Sequence, residues 1–136
     1  MYVAEDIAIE AGSFALINLG MSIQIPRGYK AELRMRSSAF LKYGLIQTNS
    51  LGLIDTSYSS EKDVLMLPVF MILSKTDILN YNKTNSWKTI FISKGTSLCQ
   101  LEILPCMEEM EFNDMVLEEY KEYNKVARGG FGSTDK

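Results

Sequence analysis

The stretch "GYKAELRMRSS", Gly28 to Ser38, alternates apolar and polar residues along most of its length. Tyr29, Ala31, Leu33 and Met35 fall on one parity, and Lys30, Glu32, Arg34 and Arg36 on the other. A period of two describes a half-buried β-strand, with one face on a core and the other toward water. The same period recurs outward. "GMSIQIP" (20–26) places Met21, Ile23 and Ile25 on one face, and "TIFIS" (89–93) and "LCQLEIL" (98–104) read as further strands. "DVLMLPVFMIL" (63–73) is apolar on both parities, which predicts a strand covered on both faces. Pro68 within it predicts an edge position or a bulge, because proline cannot donate to a ladder. Turn signals at Ala11-Gly12, Pro26-Arg27-Gly28 and Lys94-Gly95 separate the runs. Many short strands with regular turns give an all-β class, a jelly-roll barrel or sandwich.

Two segments break the rhythm. Residues 74–88, "SKTDILNYNKTNSWK", read as a polar hairpin excursion carrying the only tryptophan. "MEEMEFNDMVLEEYKEYNK" (107–125) holds no sustained helical spacing and predicts a short strand at Met115 to Leu117, then an extended lead into the tail.

With 136 residues, 46% of them hydrophobic, the chain suffices for one domain with a core. No apolar run approaches the roughly 18–20 residues of a membrane span, so no membrane partner is expected. No secretory signal opens the sequence. A net charge of −3 supplies no electrostatic footprint for nucleic acid. Cys99 and Cys106 share no zinc spacing, and two unpaired thiols suit a reducing, cytoplasmic location. The sequence contains no histidine, which excludes Ser-His-Asp and Cys-His nucleophilic machinery and His-ligated metals. Chemistry must therefore rest on carboxylates, arginines, hydroxyls, amides and an oxygen-bound cation.

Three internal segments and the tail carry candidate chemistry. In "RSS", Arg36 can fork onto phosphate oxygens while Ser37 and Ser38 add donors. "GLIQTNSLGLIDTSY" (44–58) reads as a hairpin about Asn49-Ser50, and Asp55 is either a turn-former or a held base. In "KGTSLCQL", Gln100 interrupts an apolar strand. The tail "RGGFGSTDK" (128–136) is too poor in apolar residues to fold alone. It is either a disordered end or an arm that orders over an anionic, flat ligand.

Taken in order, "MRSSAFLKYGL", "NSLGLIDTSY", "KGTSLCQ" and "RGGFGST" resemble the second to fifth of the five motifs of the trimeric deoxyuridine triphosphatase (dUTPase) family. The resemblance runs from about Val3 to Thr134. It implies a jelly-roll core over residues 1–123 and a C-terminal arm over 124–136 that closes the site. It also implies Mg²⁺-dependent hydrolysis of dUTP to dUMP and pyrophosphate in a homotrimer with shared sites. Asp55 would activate the water that attacks the α-phosphorus. Asn49 and the backbone of Leu53 and Ile54 would read uracil, with Tyr58 under the deoxyribose. Arg36, Ser37, Ser38 and Gln100 would hold phosphates. Arg128, Gly132, Ser133 and Thr134 would clasp the γ-phosphate while Phe131 stacks on the base.

The family's first motif, with an aspartate that helps anchor magnesium, would lie just before Met1, so Mg²⁺ is expected to be held mainly by phosphates and waters, with no direct protein ligand. Thr96-Ser97 replaces the usual acidic-arginine pair of the fourth motif, Ser60 stands at a usual glycine, and Arg128 lies closer to Phe131 than is common. Two alternatives share the fold: a nucleotide-sensing or regulatory binding protein, and a dCTP deaminase. The deaminase needs a carboxylate base where alignment places Leu65.

Overall fold

The computed structural model describes residues 1–107. Eight strands and two helices are present among them: β1 (Ile7–Glu10), β2 (Phe14–Asn18), β3 (Tyr29–Met35), α1 (Ser37–Tyr43), β4 (Leu45–Gln47), β5 (Gly52–Ile54), β6 (Met66–Met71), α2 (Lys75–Thr84), β7 (Thr89–Ile92) and β8 (Cys99–Pro105). The strands form three antiparallel sheets, β1-β7, β2-β6-β4 and β5-β3-β8. All three contribute to one core. Ile9, Ile17, Leu33, Leu45, Leu67 and Ile92 are each almost wholly buried in it. The all-β jelly-roll expectation holds.

The opening stretch is β3, the middle strand of its sheet. Ala31 and Leu33 enter the core as the alternation requires. Its polar face is less wet than expected, since Glu32 is also buried. Residues two apart share a strand face. Lys30 Nζ therefore lies 3.1 Å from one carboxylate oxygen of Glu32, and Arg34 bonds the other. The Arg34 guanidinium first, and the Lys30 ammonium second, hold this carboxyl below its ordinary range.

Several expectations are corrected. "GMSIQIP" buries Ile25 but forms no strand; Met21 and Leu19 meet only Leu65, through bonds of 2.8 and 3.0 Å, and no ladder continues to Pro26. The 63–73 run is not covered on both faces: Leu67, Val69 and Met71 are buried while Met66, Pro68 and Phe70 are half-buried. Pro68 sits in the middle strand rather than on an edge or bulge, in regular register with Leu16. Its carbonyl accepts from Thr48 N–H at 3.1 Å, so its ring nitrogen faces the same side. β4 has already ended at Gln47. The missing donor thus falls where the ladder stops, which is how a central strand tolerates proline.

Residues 74–88 are a helix and its flanks, not a hairpin. Ser74 Oγ accepts from the Asp77 amide at 3.1 Å, and Asp77 Oδ2 accepts from the Ser74 amide at 2.8 Å and from its hydroxyl at 2.5 Å. This capping box satisfies the first free amides of α2. At the other end Asn85 is left-handed (φ 54°), and Trp87 stacks on Tyr81 at 4.1 Å between ring centroids. Asp77 is the only fully buried residue of α2. The helix therefore depends on its caps more than on burial.

Helix α1 was also unforeseen. It begins directly after the strand and stops at Gly44, whose left-handed backbone (φ 68°) returns its amide to Phe40 O at 2.8 Å. The strand expected at Met115 to Leu117, the boundary at 123/124 and the arm lie outside the described residues.

Because α2 rests on its cap and the sheets rest on burial, two substitutions should separate. Leu67→Ala should lower global stability by about 2–5 kcal/mol through the cavity it leaves. Ser74→Ala should lower it by about 1 kcal/mol or less, while amide exchange accelerates across 75–84. Equal loss of protection across β6 and α2 in Ser74→Ala would contradict this separation.

Candidate active site

A cleft of about 320 Å³ opens at the end of β5, lined by Asn49, Leu53, Ile54, Asp55 and Tyr58 together with Leu33, Gly52, Ser57, Leu65 and Met66. Five of the sequence candidates thus meet in one place. The segment that carries them is not the expected hairpin. β4 pairs with β6, whereas β5 pairs with β3, so residues 48–51 turn a corner between two sheets. Ser50 accepts a left-handed backbone at that corner (φ 58°). Gly52 suits the close approach of β5 to β3, since an added Cβ would meet Leu33 Cβ at 3.1 Å and Leu33 O at 3.5 Å.

β5 is an edge strand. Its register, with Leu33 opposite Gly52 and Ala31 opposite Ile54, turns the intervening amide and carbonyl of Leu53 away from β3 toward the open edge. One donor and one acceptor therefore stand side by side at the cleft.

Asp55 follows directly. Its Oδ1 accepts from Ser57 N–H at 2.8 Å and from Ser57 Oγ–H at 2.5 Å. Among the described residues Oδ2 has no hydrogen-bond donor. The Ser57 hydroxyl, then the Ser57 amide, hold the Asp55 carboxyl below the ordinary carboxylate range. The residue is thus both a turn-former, through one oxygen, and a fixed, ionised carboxylate presenting the other. The Tyr58 hydroxyl donates to Val64 O at 2.8 Å, which closes the 58–64 loop and fixes the phenol along the cleft wall.

The phosphate candidates lie elsewhere on the chain. Arg36 flanks the start of α1, its amide donating to Leu98 O at 2.8 Å and its Nη1 reaching Ser97 Oγ at 3.3 Å. Ser37 and Ser38 open α1. Gln100 is exposed on β8 opposite Arg34, on the sheet face away from Leu33. None of the four lines the cleft. Arg128, Phe131, Gly132, Ser133 and Thr134 lie outside the described residues.

Sequence reasoning missed Ser57, the partner that fixes Asp55, and Gln47. An Asp-x-Ser spacing signals such a turn and could have revealed the first. Gln47 accepts from Met35 N–H at 2.8 Å and donates to Leu33 O at 3.0 Å and to Asn49 Oδ1 at 2.8 Å. Nothing local in the sequence marks that role.

The described residues contain no group of three acidic, histidine or cysteine side chains placed to hold a metal, and none of their helices is long and apolar enough to cross a membrane.

Comparison with known proteins places this geometry. The dUTPase family model matches residues 1–135. The SPbeta prophage-derived deoxyuridine 5'-triphosphate nucleotidohydrolase YosS of Bacillus subtilis is 34% identical over 131 residues, covering 96% of this chain and 78% of that protein. The deoxyuridine 5'-triphosphate nucleotidohydrolase of Clostridium tetani is 30% identical over 138 residues, covering 100% and 80%. Among solved structures, the dUTPase of Streptococcus mutans matches with a TM-score of 0.66 at 23% identity, over 82% of this chain and 79% of that one. The dUTPase of phage phi11 of S. aureus matches with a TM-score of 0.67 at 21% identity, over 87% and 82%. These likenesses carry the fold, and the family match carries the assignment: the chain belongs to the dUTPase family.

Proposed function

We propose that this dUTPase converts dUTP to dUMP and pyrophosphate through attack of an Asp55-activated water on the α-phosphorus. The observation that carries the reading is the cleft at the end of β5, where an ionised carboxylate stands beside an exposed strand edge. Leu53 offers its amide to a carbonyl and its carbonyl to an imide N–H, which is the pattern of the uracil edge. Asn49 adds a side-chain amide, Ile54 shapes the wall, and Tyr58, fixed by its bond to Val64, lies where the sugar packs. Leu65, the position where a deaminase would need its carboxylate, is buried against the same cleft. That favours hydrolysis over deamination.

Asp55 performs the proton chemistry in this scheme. Ser57 holds one oxygen, so the other meets water in a fixed direction, and the depressed pKa keeps it unprotonated at neutral pH. Phosphoryl chemistry needs alignment and charge neutralisation more than covalent catalysis, so the absence of histidine is no obstacle. The described residues do not fit a protein-built Mg²⁺ site, since the one carboxylate among the cleft residues is Asp55. The phi11 enzyme is described as coordinating a structural Mg(II) ion. For this chain Mg²⁺ would be held by the triphosphate itself and would supply charge neutralisation there.

Arg36, Ser37, Ser38 and Gln100 bind phosphates from a neighbouring subunit of a homotrimer. Their separation from the cleft on the single chain supports that division, because one copy alone does not assemble the set. The arm from residue 124 supplies Arg128, Gly132, Ser133 and Thr134 to the γ-phosphate and Phe131 to the base, and closes the site against water.

Asp55→Asn should retain dUTP binding and lose at least about a hundredfold in turnover; near-normal turnover would remove Asp55 from the chemistry. For wild type, the acid limb of kcat/KM should lie below the ordinary carboxylate range, because a depressed pKa keeps the base ionised further down in pH. Ser57→Ala removes the cause and should move that limb upward, and an unmoved limb would assign it to another group. Co-refolding Asp55→Asn with Arg36→Ala chains tests the shared site. Mixed trimers should regain activity that neither variant has alone, whereas sites built within one chain would regain none.

A further inference from the structure

Gln47 stands on β4, in a different sheet from β3, yet its carboxamide continues the β3 ladder. β5 ends its pairing at Gly52 opposite Leu33. Beyond that point the Met35 amide faces the same side with no strand to meet it, while the Leu33 carbonyl, already opposite the Gly52 amide, keeps a second lone pair. The Gln47 side chain takes both, accepting from Met35 N–H at 2.8 Å and donating to Leu33 O at 3.0 Å. A peptide group would do the same.

This has a consequence for Asn49. The two ends of a side-chain amide are normally told apart only by their partners. Here the partners are backbone groups of unambiguous polarity, so Gln47 has one orientation, with its nitrogen on the Leu33 and Asn49 side. Its second N–H goes to Asn49 Oδ1 at 2.8 Å. That commits the Asn49 oxygen. What remains for the cleft is Nδ2, a pure donor, which makes no hydrogen bond among the described residues and lies on the Gly52 side of the corner, 3.7 Å from where a Cβ there would stand. A donor suits the 4-carbonyl of uracil and opposes the 4-amino group of cytosine.

We propose that Gln47 is a positioning residue that sets uracil over cytosine, by fixing which end of the Asn49 carboxamide faces the base. The proposal rests on the reading of Asn49 as a base contact. Polarity passes from the β3 backbone through Gln47 to Asn49 and thence to the nucleotide, with no charged group involved. Gln47 itself does not touch the substrate.

The test is the ratio of kcat/KM for dUTP to that for dCTP, measured for Gln47→Glu, Gln47→Met and Asn49→Ala, with folding followed by thermal unfolding. A glutamate at 47 only accepts, so Asn49 turns its nitrogen onto it and presents oxygen to the base. The ratio should fall by about ten- to a hundredfold, the scale of one mismatched buried hydrogen bond. Methionine keeps the stem and imposes no polarity, so its ratio should lie between wild type and glutamate. It also carries the test if the glutamate chain does not fold, since the repulsion between a carboxylate and Leu33 O is absent from it. A merely structural role would lower both rates together and leave the ratio where it was; that outcome overturns the proposal. Asn49→Ala separates the two layers. If it leaves the ratio at the wild-type value, Asn49 does not read the base and the underlying reading fails. If it lowers the ratio while both Gln47 variants keep theirs, the base contact stands and the role given to Gln47 fails alone.

Discussion

A strand that outlasts its neighbour leaves backbone groups to satisfy, and in this protein that constraint falls on the Met35 amide at the end of β3. An unmet buried amide or carbonyl costs on the order of 1–3 kcal/mol. The molecule meets the demand with a side chain from another sheet, and the rest of the cleft follows from that choice. Gln47 must sit beside β3, so β4 must end there. The corner at 48–51 must then turn within a few residues to start β5. Asn49 is carried to the rim of the cleft by the same geometry that closes the ladder. Structural and functional demands therefore meet on one carboxamide.

The cleft divides its electrostatics in a comparable way. Asp55 is exposed and ionised, held by a serine two residues later rather than by a cation, so its charge remains open to the cleft. Glu32, by contrast, is enclosed and satisfied by Arg34 and Lys30, and its charge is spent within the sheet. Two carboxylates, one within β3 and one just past β5, thus have opposite uses. The difference lies in the partner each is given.

Period-two alternation was legible in Tyr29 to Met35 and Thr89 to Ile92, where one face of the strand meets the core, while the short strands β1 and β2 went unread. It misled where apolar residues lack a strand partner, as at Ile23 and Ile25, since periodicity reports burial and not pairing. The run through Pro68 looked like an edge because proline forbids a donor, and sequence alone cannot show that the neighbour ends just there. Helix α2 was missed because its apolar residues do not form a buried stripe; Ile78 and Leu79 are largely exposed, and the real signal was the Ser74-x-x-Asp77 cap. In the site, Asp55, Asn49 and Tyr58 were recognisable from a local motif. Gln47 was not, because its partners lie more than ten residues away on β3.

The order of pairing along the chain also sets a timetable for synthesis. β3 has one flank covered by β5 soon after it is made, but its other flank waits for β8, about seventy residues later. β1 and β2 likewise wait for β7 and β6. At about 5–20 residues per second, a nascent chain exposes these apolar faces for several seconds before their partners leave the ribosome. Contacts so distant in sequence also make closure slow. The growing polypeptide therefore passes through a vulnerable interval that the finished molecule no longer shows, and translation speed through residues 60–105 governs how long it lasts.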